Sequence, residues 1–423
     1  MKTLTFSSHY FFLFVFLSLL VCLGSCKKDD IPTNSGKLFT LTVDADYSMD
    51  DARQYVILSD KNGTVIDFAE YTPGKKFEFP QSSTFTDEEL MVTFLQDFSD
   101  QTYLIDSYMN VKKGMVWTLK KYNYVEPAKA GEITLDLSNL QSKVNEVEVT
   151  SRDNYSGVSK LSSTDWSTFT YPLSKSKENL WIRASDAQTS RYFLLEQAEA
   201  GRTYILDFSK FVGGNVHTIA INKPDFTLNS LLLLGYQDNV PFRFFSNWNQ
   251  HPPAQAVSVS YPKASFEKFS LDISIRNPLS RGKLYEEERY GYHIERPTLP
   301  NTLPELNADL AFQNVSVDNY QMTTQGNFDY FSVWYRSIQG DSNRFIDWYV
   351  RGKPQNNVAF KLPNIPKALT NNLALTVRWR ATTLHEYPLL QSYDDLLNGM
   401  TAIYPNIPGD YVTRTKRVNP NTL

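Results

Sequence analysis

Phe242-Arg243-Phe244-Phe245-Ser246-Asn247-Trp248-Asn249-Gln250-His251 is the segment whose residue types best suit recognition chemistry. It sets aromatic rings, amides and a cation side by side, ahead of the Pro252-Pro253 break. Sugar rings present C–H faces to aromatics and hydroxyls to amides. Phe242, Arg243, Phe244, Asn247, Trp248, Asn249, Gln250 and His251 are therefore the candidate ligand-binding residues. The competing expectation for the same stretch is a buried strand with its loop end, because aromatics usually pack inside. Trp334 and Trp348 are expected inside on the same ground.

Other chemistry finds less support. His217, His251, His293 and His385 fall into no His-Glu-x-x-His pattern, and no two lie within one helical turn. They are expected to be isolated surface or interface histidines. No Gly-x-Ser-x-Gly elbow, phosphate-cradling Gly-rich loop or dinucleotide fingerprint occurs, which counts against those enzyme families. Glu286-Glu287-Glu288 is the densest acidic run. Adjacent carboxylates on a strand point to opposite faces, so the triplet makes a poor hydrolytic dyad and is expected to be a solvated loop. Asp44, Asp46, Ser48 and Asp50 alternate as calcium ligands do. Met49 and Tyr55 stand where a calcium loop needs Gly and Glu, so a polar loop is expected and no metal or cofactor.

Net charge is −4 with no basic block beyond the N-terminal segment, which argues against a nucleic-acid partner. Hydrophobic residues make up 41% and charged residues 21%, a globular balance. Aromatics reach 14%, a level that favours pleated structure.

The first thirty residues speak to location. Lys2 precedes a greasy run from Tyr10 to Leu23, too short to span hydrocarbon, and Leu23-Gly24-Ser25-Cys26 follows. This looks like a bacterial lipobox, in which residues 1–25 are removed and Cys26 is lipidated. Lys27-Lys28-Asp29-Asp30 is similar to the export signal of surface-exposed outer-membrane lipoproteins of Gram-negative gut and oral anaerobes. That resemblance implies a lipid-anchored protein facing outward, with the bilayer as a partner through acylated Cys26. The other cysteine, Cys22, lies in the leader, so the body is expected to fold without disulfides or thiol chemistry.

These residues must be positioned by strands. After a tether at 26–37, Phe39, Leu41 and Val43 alternate with threonines. Tyr55 to Leu58 and Val65 to Phe68 form a predicted hairpin through Asn62-Gly63, which supplies the positive φ such turns need. Ile133, Leu135 and Leu137 alternate, and so do Phe269, Leu271, Ile273 and Ile275. Phe328 to Tyr335 and Phe345 to Val350 carry aromatics on both faces and are expected to pair as central strands. One helix is expected over Tyr393 to Met400, starting near Ser392 with Asp394 and Asp395 in its first turn.

A faint repeat links Ala128-Lys129-Ala130-Gly131 to Ala198-Glu199-Ala200-Gly201, with looser echoes at 74–80 and 358–363. The expected fold class is all-β: multiple antiparallel β-sandwich-like modules on a flexible lipidated tether. The expected blocks are 38–125, 126–222 and a larger 223–423. The leading functional expectation is a non-enzymatic surface lipoprotein that binds an extracellular glycan or a partner envelope protein. A carbohydrate-active hydrolase with paired carboxylates is a second. A pilin-like assembly component is a third, weakened because the first Arg, Arg53, lies inside the first predicted module.

Overall fold

The computed structural model describes residues 36–47, 52–98, 102–120, 129–140, 144–152, 155–159, 168–186, 189–223, 225–247, 255–277, 287–337, 345–370, 375–400, 407 and 409–417. The expected leader, Cys26, Glu286 and Trp248 to His251 lie outside them, as does most of the tether. The chain is all-β, with antiparallel pairing dominant.

One connectivity recurs along it. In the first unit, β1 (Lys37–Val43) is followed by the hairpin β2 (Arg53–Ser59) and β3 (Val65–Glu70). The chain returns as β4 (Lys76–Pro80), makes a second hairpin of β5 (Glu89–Asp97) and β6 (Thr102–Lys112), and closes with β7 (Met115–Leu119). The small sheet runs β4-β1-β7, with β7 parallel to β1, and the hairpins form the order β3-β2-β5-β6. Gly63 holds φ at 79° in the first hairpin turn, as Asn-Gly predicts.

The second unit repeats this: β8 (Gly131–Asp136), β9 (Glu146–Thr150), β10 (Tyr155–Ser159), β11 (Thr168–Leu173), β12 (Lys177–Ser185), β13 (Ser190–Glu199) and β14 (Thr203–Ile205). Its sheets run β11-β8-β14 and β10-β9-β12-β13, with the short β15 (Val212–Gly213) added to β13. The third unit has β16 (Asn215–Ala220), β17 (Thr227–Gln237), β18 (Val240–Asn247), β19 (Ala256–Tyr261), β20 (Lys268–Asn277) and β21 (Glu287–Arg296). Here β16 pairs β19, the hairpins run β18-β17-β20-β21, and a parallel bridge from Ala220 to Thr302 stands where the closing strand lies in the first two units. After β22 (Ala308–Ser316) comes a fourth unit: β23 (Asn319–Gly326), β24 (Tyr330–Ser337), β25 (Phe345–Gly352), β26 (Asn357–Phe360), β27 (Val377–Glu386) and β28 (Tyr411–Arg417). Its order β25-β24-β27-β28 matches again, and β26 pairs β23 as β4 pairs β1.

Only the looser echoes of the sequence have a counterpart in equivalent strands. The looser echoes, 74–80 and 358–363, contain β4 and β26, which are equivalent strands. The closer Ala-Gly echo joins β8 and β14, which are not equivalent but lie side by side in parallel. A Cβ on Gly131 would sit 2.7 Å from the Ala200 Cβ, so this contact needs glycine.

Three of the four large sheets fuse into one of twelve strands, β18-β17-β20-β21-β28-β27-β24-β25-β6-β5-β2-β3. The third and fourth units meet through antiparallel β21 and β28, and the fourth meets the first through parallel β25 and β6. Strands of residues 53–112 and of residues 227–417 therefore share a sheet, and β16, which precedes residue 223, pairs with β19 beyond it. β24 and β25 pair and sit in the middle of this sheet, as their two-sided aromatic pattern predicts.

One face of the large sheet is buried along its length. Leu231, Leu271, Ile273, Tyr292, Leu384, Phe331, Trp348 and Ile105 pack there beneath the small sheets of the third and fourth units. Among the described residues, the opposite face is covered by a small sheet only at the β6-β5-β2 end. There Val56, Val92, Phe94 and Tyr108 meet Phe39, Phe79 and Trp117 of the first small sheet. The helix α1 (Tyr393–Asn398) adds Tyr393, Leu396 and Leu397 to that core, and Ser392 caps it as expected.

Candidate binding face

Across β20, β21, β28, β27 and β24 the second face carries no covering sheet among the described residues. Burial alternates along these strands, complete toward the core and partial on the other side. Strand register sets out what this face displays. One row reads Ser274, Gly291, Thr413, His385 and Tyr330 from β20 to β24. The next row on one side begins Asp272, His293 and Tyr411. The next on the other side is Arg276, Arg289, Thr415, Thr383, Ser332 and Arg351. Rows on one face are two residues, or about 7 Å, apart.

A groove of about 330 Å³ lies in this face, straddling the junction of the third and fourth units. Small residues form its floor: Ser230, Ser274, Gly291, Thr383 and Thr413. Gly291 keeps it deep, because a Cβ there would come within 2.7 Å of the Thr413 Oγ1. Tyr387, Tyr411, His385 and Asp272 wall it. The rings form a chain: His293 stacks on Tyr411 at 5.2 Å, Tyr411 meets Tyr387 at 5.1 Å, and Tyr330 stacks on His385 at 4.2 Å. Tyr387 and Tyr411 are half-buried, so part of each ring reaches the groove.

Electrostatics keep most of these groups neutral. Burial, with the charge of Asp272 and the neighbouring Tyr387, pushes Tyr411 up to about 12, so it stays a phenol. Burial, helped by Arg351, pulls His385 down to about 3, leaving a neutral imidazole that shares a 2.8 Å hydrogen bond with Ser332. Its Nδ1 has no hydrogen-bond partner among the described residues. Among the described residues no acid orients His385 as the base of a catalytic triad with Ser332. His293 behaves oppositely. Its Nδ1 is 2.7 Å from Asp272, and that hydrogen bond raises its pKa.

The expected site residues scatter relative to this groove. Phe242 and Phe244 are 5% and 2% exposed and pack with Trp181 and Tyr192 of the second unit. They are packing residues, which corrects the reading of their rings as a sugar platform. β18 must bury one side against β12 and β13, and these two rings fill that contact. Arg243 is half-buried, with its guanidinium 4.0 Å from the Tyr155 ring centre and its backbone N–H donated to Thr150. Asn247 closes β18.

The acidic run also departs from expectation. Glu287 and Glu288 start β21 instead of lying in a solvated loop. They point to opposite faces, as a strand requires: Glu288 pairs with Arg414, and Glu287 with Arg276, Arg289 and Arg417. His217 donates to the Pro300 carbonyl. Trp348 is core as expected, but Trp334 is half-buried on the open face, parallel to Tyr349 at 6.0 Å. The period-two pattern of β20 was the available signal for the open face. Nothing local marked Tyr387 or Tyr411, whose role depends on β28 lying beside β21.

No family model and no curated protein matches the chain. Among solved structures it is similar to the Bacillus anthracis TIE protein (12% identity, TM-score 0.13, 63% of this chain), of which it spans about half the length, 49%. It is also similar to a Ca2+-stabilized adhesin that helps an Antarctic bacterium bind ice (7%, TM-score 0.13, 84% and 94% of the two chains). A third is the N-terminal four Ig domains of Dscam1 isoform 4.44 (10%, TM-score 0.14, 91% and 97%). At these scores the likenesses carry no argument about this chain.

Proposed function

We propose that this protein is a non-catalytic lipoprotein of the outer membrane, tied outside the cell through Cys26, that binds a glycan in the groove between its third and fourth units. The groove carries the reading. Two half-buried tyrosine rings stand beside Asp272, Ser274, Thr383 and Thr413, so apolar faces and hydroxyl partners converge. Sites between structural units are also where small ligands preferentially bind. Asp272 is the single carboxylate among the groove's lining residues, whereas glycoside hydrolysis needs two. That favours binding over cleavage.

A glycan array probed with the full chain tests this, with Tyr411→Ala and Asp272→Ala as controls. Binding that weakens in both variants, with the circular-dichroism spectrum of the parent retained, supports it. Absence of any glycan signal, with capture of an envelope protein instead, overturns it. Loss of radiolabelled palmitate from Cys26→Ser tests the anchor separately.

A further inference from the structure

The basic side chains of this acidic chain are unevenly placed. Beside the groove, Arg276, Arg289 and Arg417 surround the single buried carboxylate of Glu287. Farther along the same face, Arg336 and Arg378 are cross-strand neighbours, and Arg336 makes a two-pronged contact to Asp347 at 2.8 and 2.9 Å. Arg380 follows two residues after Arg378 on β27. Burial and the like charges of Arg336 and Arg378 push its pKa down. Arg417 is lowered in the same way, by burial and then by Arg289. Apart from the Arg351–Asp106 pair, six guanidiniums thus face two carboxylates on these strands. Between the two clusters stand Ala381 and the half-exposed Trp334 and Tyr349.

The band crosses from β20 to β25, five strand spacings or roughly 24 Å. Such a concentration of like charge costs free energy unless an anion offsets it.

We propose that the open face binds a polyanionic glycan, its carboxylate or sulfate groups held by Arg276, Arg289 and Arg417 at one end and by Arg336 and Arg378 at the other, with sugar rings on Trp334, Tyr349 and Tyr411. This rests on the glycan reading of the groove and adds the ligand's charge to it. Guanidinium matches planar, two-oxygen anions better than ammonium does, and the band is entirely arginine. The acceptors Asp272 and Glu295 two and three rows away suit neutral hydroxyls and disfavour a continuous phosphate backbone.

The test is calorimetric titration of the full chain with polygalacturonate, dextran sulfate, neutral dextran and single-stranded oligothymidylate. Polygalacturonate or dextran sulfate should bind, and which of the two wins identifies the acidic group. Binding should weaken as salt rises, since exposed charges are screened beyond about 8 Å at physiological ionic strength. Arg289→Gln combined with Arg417→Gln should lower affinity about tenfold or more. Arg378→Gln, on an exposed side chain that leaves folding intact, should lower it by a smaller factor. Neutral dextran binding equally, or both arginine variants binding as the parent, overturns the polyanion proposal and leaves the glycan groove standing. Oligothymidylate binding as tightly as the sugars overturns it in favour of unspecific charge attraction. No binding to any polysaccharide, with no array signal, removes the glycan reading as well.

Discussion

The two ends of the twelve-stranded sheet solve the same packing problem differently. β2, β5 and β6 have both faces buried: the first unit's small sheet lies on one side, and the core shared with the fourth unit on the other. β20, β21, β27 and β28 have one face covered and one open. The connectivity of the units is the same, so the difference lies in how they join. β21 meets β28 antiparallel, which puts the small sheets of the third and fourth units on one common side. β25 meets β6 in parallel, and the first unit's small sheet falls on the opposite side. The Gly63 turn then seats against the chain after β26. Its position leaves a would-be Cβ 2.4 Å from the Leu362 carbonyl oxygen. The first unit clamps its end of the sheet from both sides, whereas the junction of the last two keeps one face uncovered among the described residues.

The largest test of that contrast is truncation inside the doubly covered end. Phe94 is fully buried between Tyr71 and Trp117, so Phe94→Ala should cost about 3 to 5 kcal/mol in chemical denaturation. Next is Asp106→Asn. Asp106 is buried and pairs with the mostly buried Arg351, so the change weakens the guanidinium's charge partner, at a cost of about 3 kcal/mol. A stability loss under 1 kcal/mol for either, on the scale of surface changes, would show that this end is not the clamp.

On the open face, stability and binding should separate. Gly291→Val fills the groove floor and should weaken glycan binding about tenfold, or 1.4 kcal/mol, in titration calorimetry. A subtler effect concerns pH. His293 faces Asp272, Glu295, Asp410 and the Tyr411 ring, and its pKa is raised mainly by the Asp272 hydrogen bond. The stabilisation is therefore complete below the unfolded value of about 6.5 and is lost as pH rises through the higher folded value. Denaturation midpoints measured across that window should fall in the parent and stay flatter in Asp272→Asn. Smallest of all, Thr415→Ala on the same face should change stability by no more than about 0.5 kcal/mol.

Much of this architecture is readable in local pattern. Gln54 to Ser59 and Leu90 to Leu95 are nearly unbroken apolar runs and become doubly buried strands. Phe269 to Ile275 alternates and becomes a strand with one open face. The groove itself is less legible. Phe242 and Phe244 have the composition of a platform, yet they close the contact with the second unit. Tyr411 and Tyr387 carry no local mark, and become walls of the groove through pairings that bridge more than a hundred residues.

From the sequence alone follow the strands, the Asn-Gly hairpin and the Ser392-capped helix, because each rests on residue type and short-range periodicity. The tertiary structure decided which strand ends join. A period-two strand accepts many partners equally well, and only the burial of whole sheets selects β21 for β28 and β6 for β25. That choice sets which face stays bare, and hence which side chains a ligand can meet.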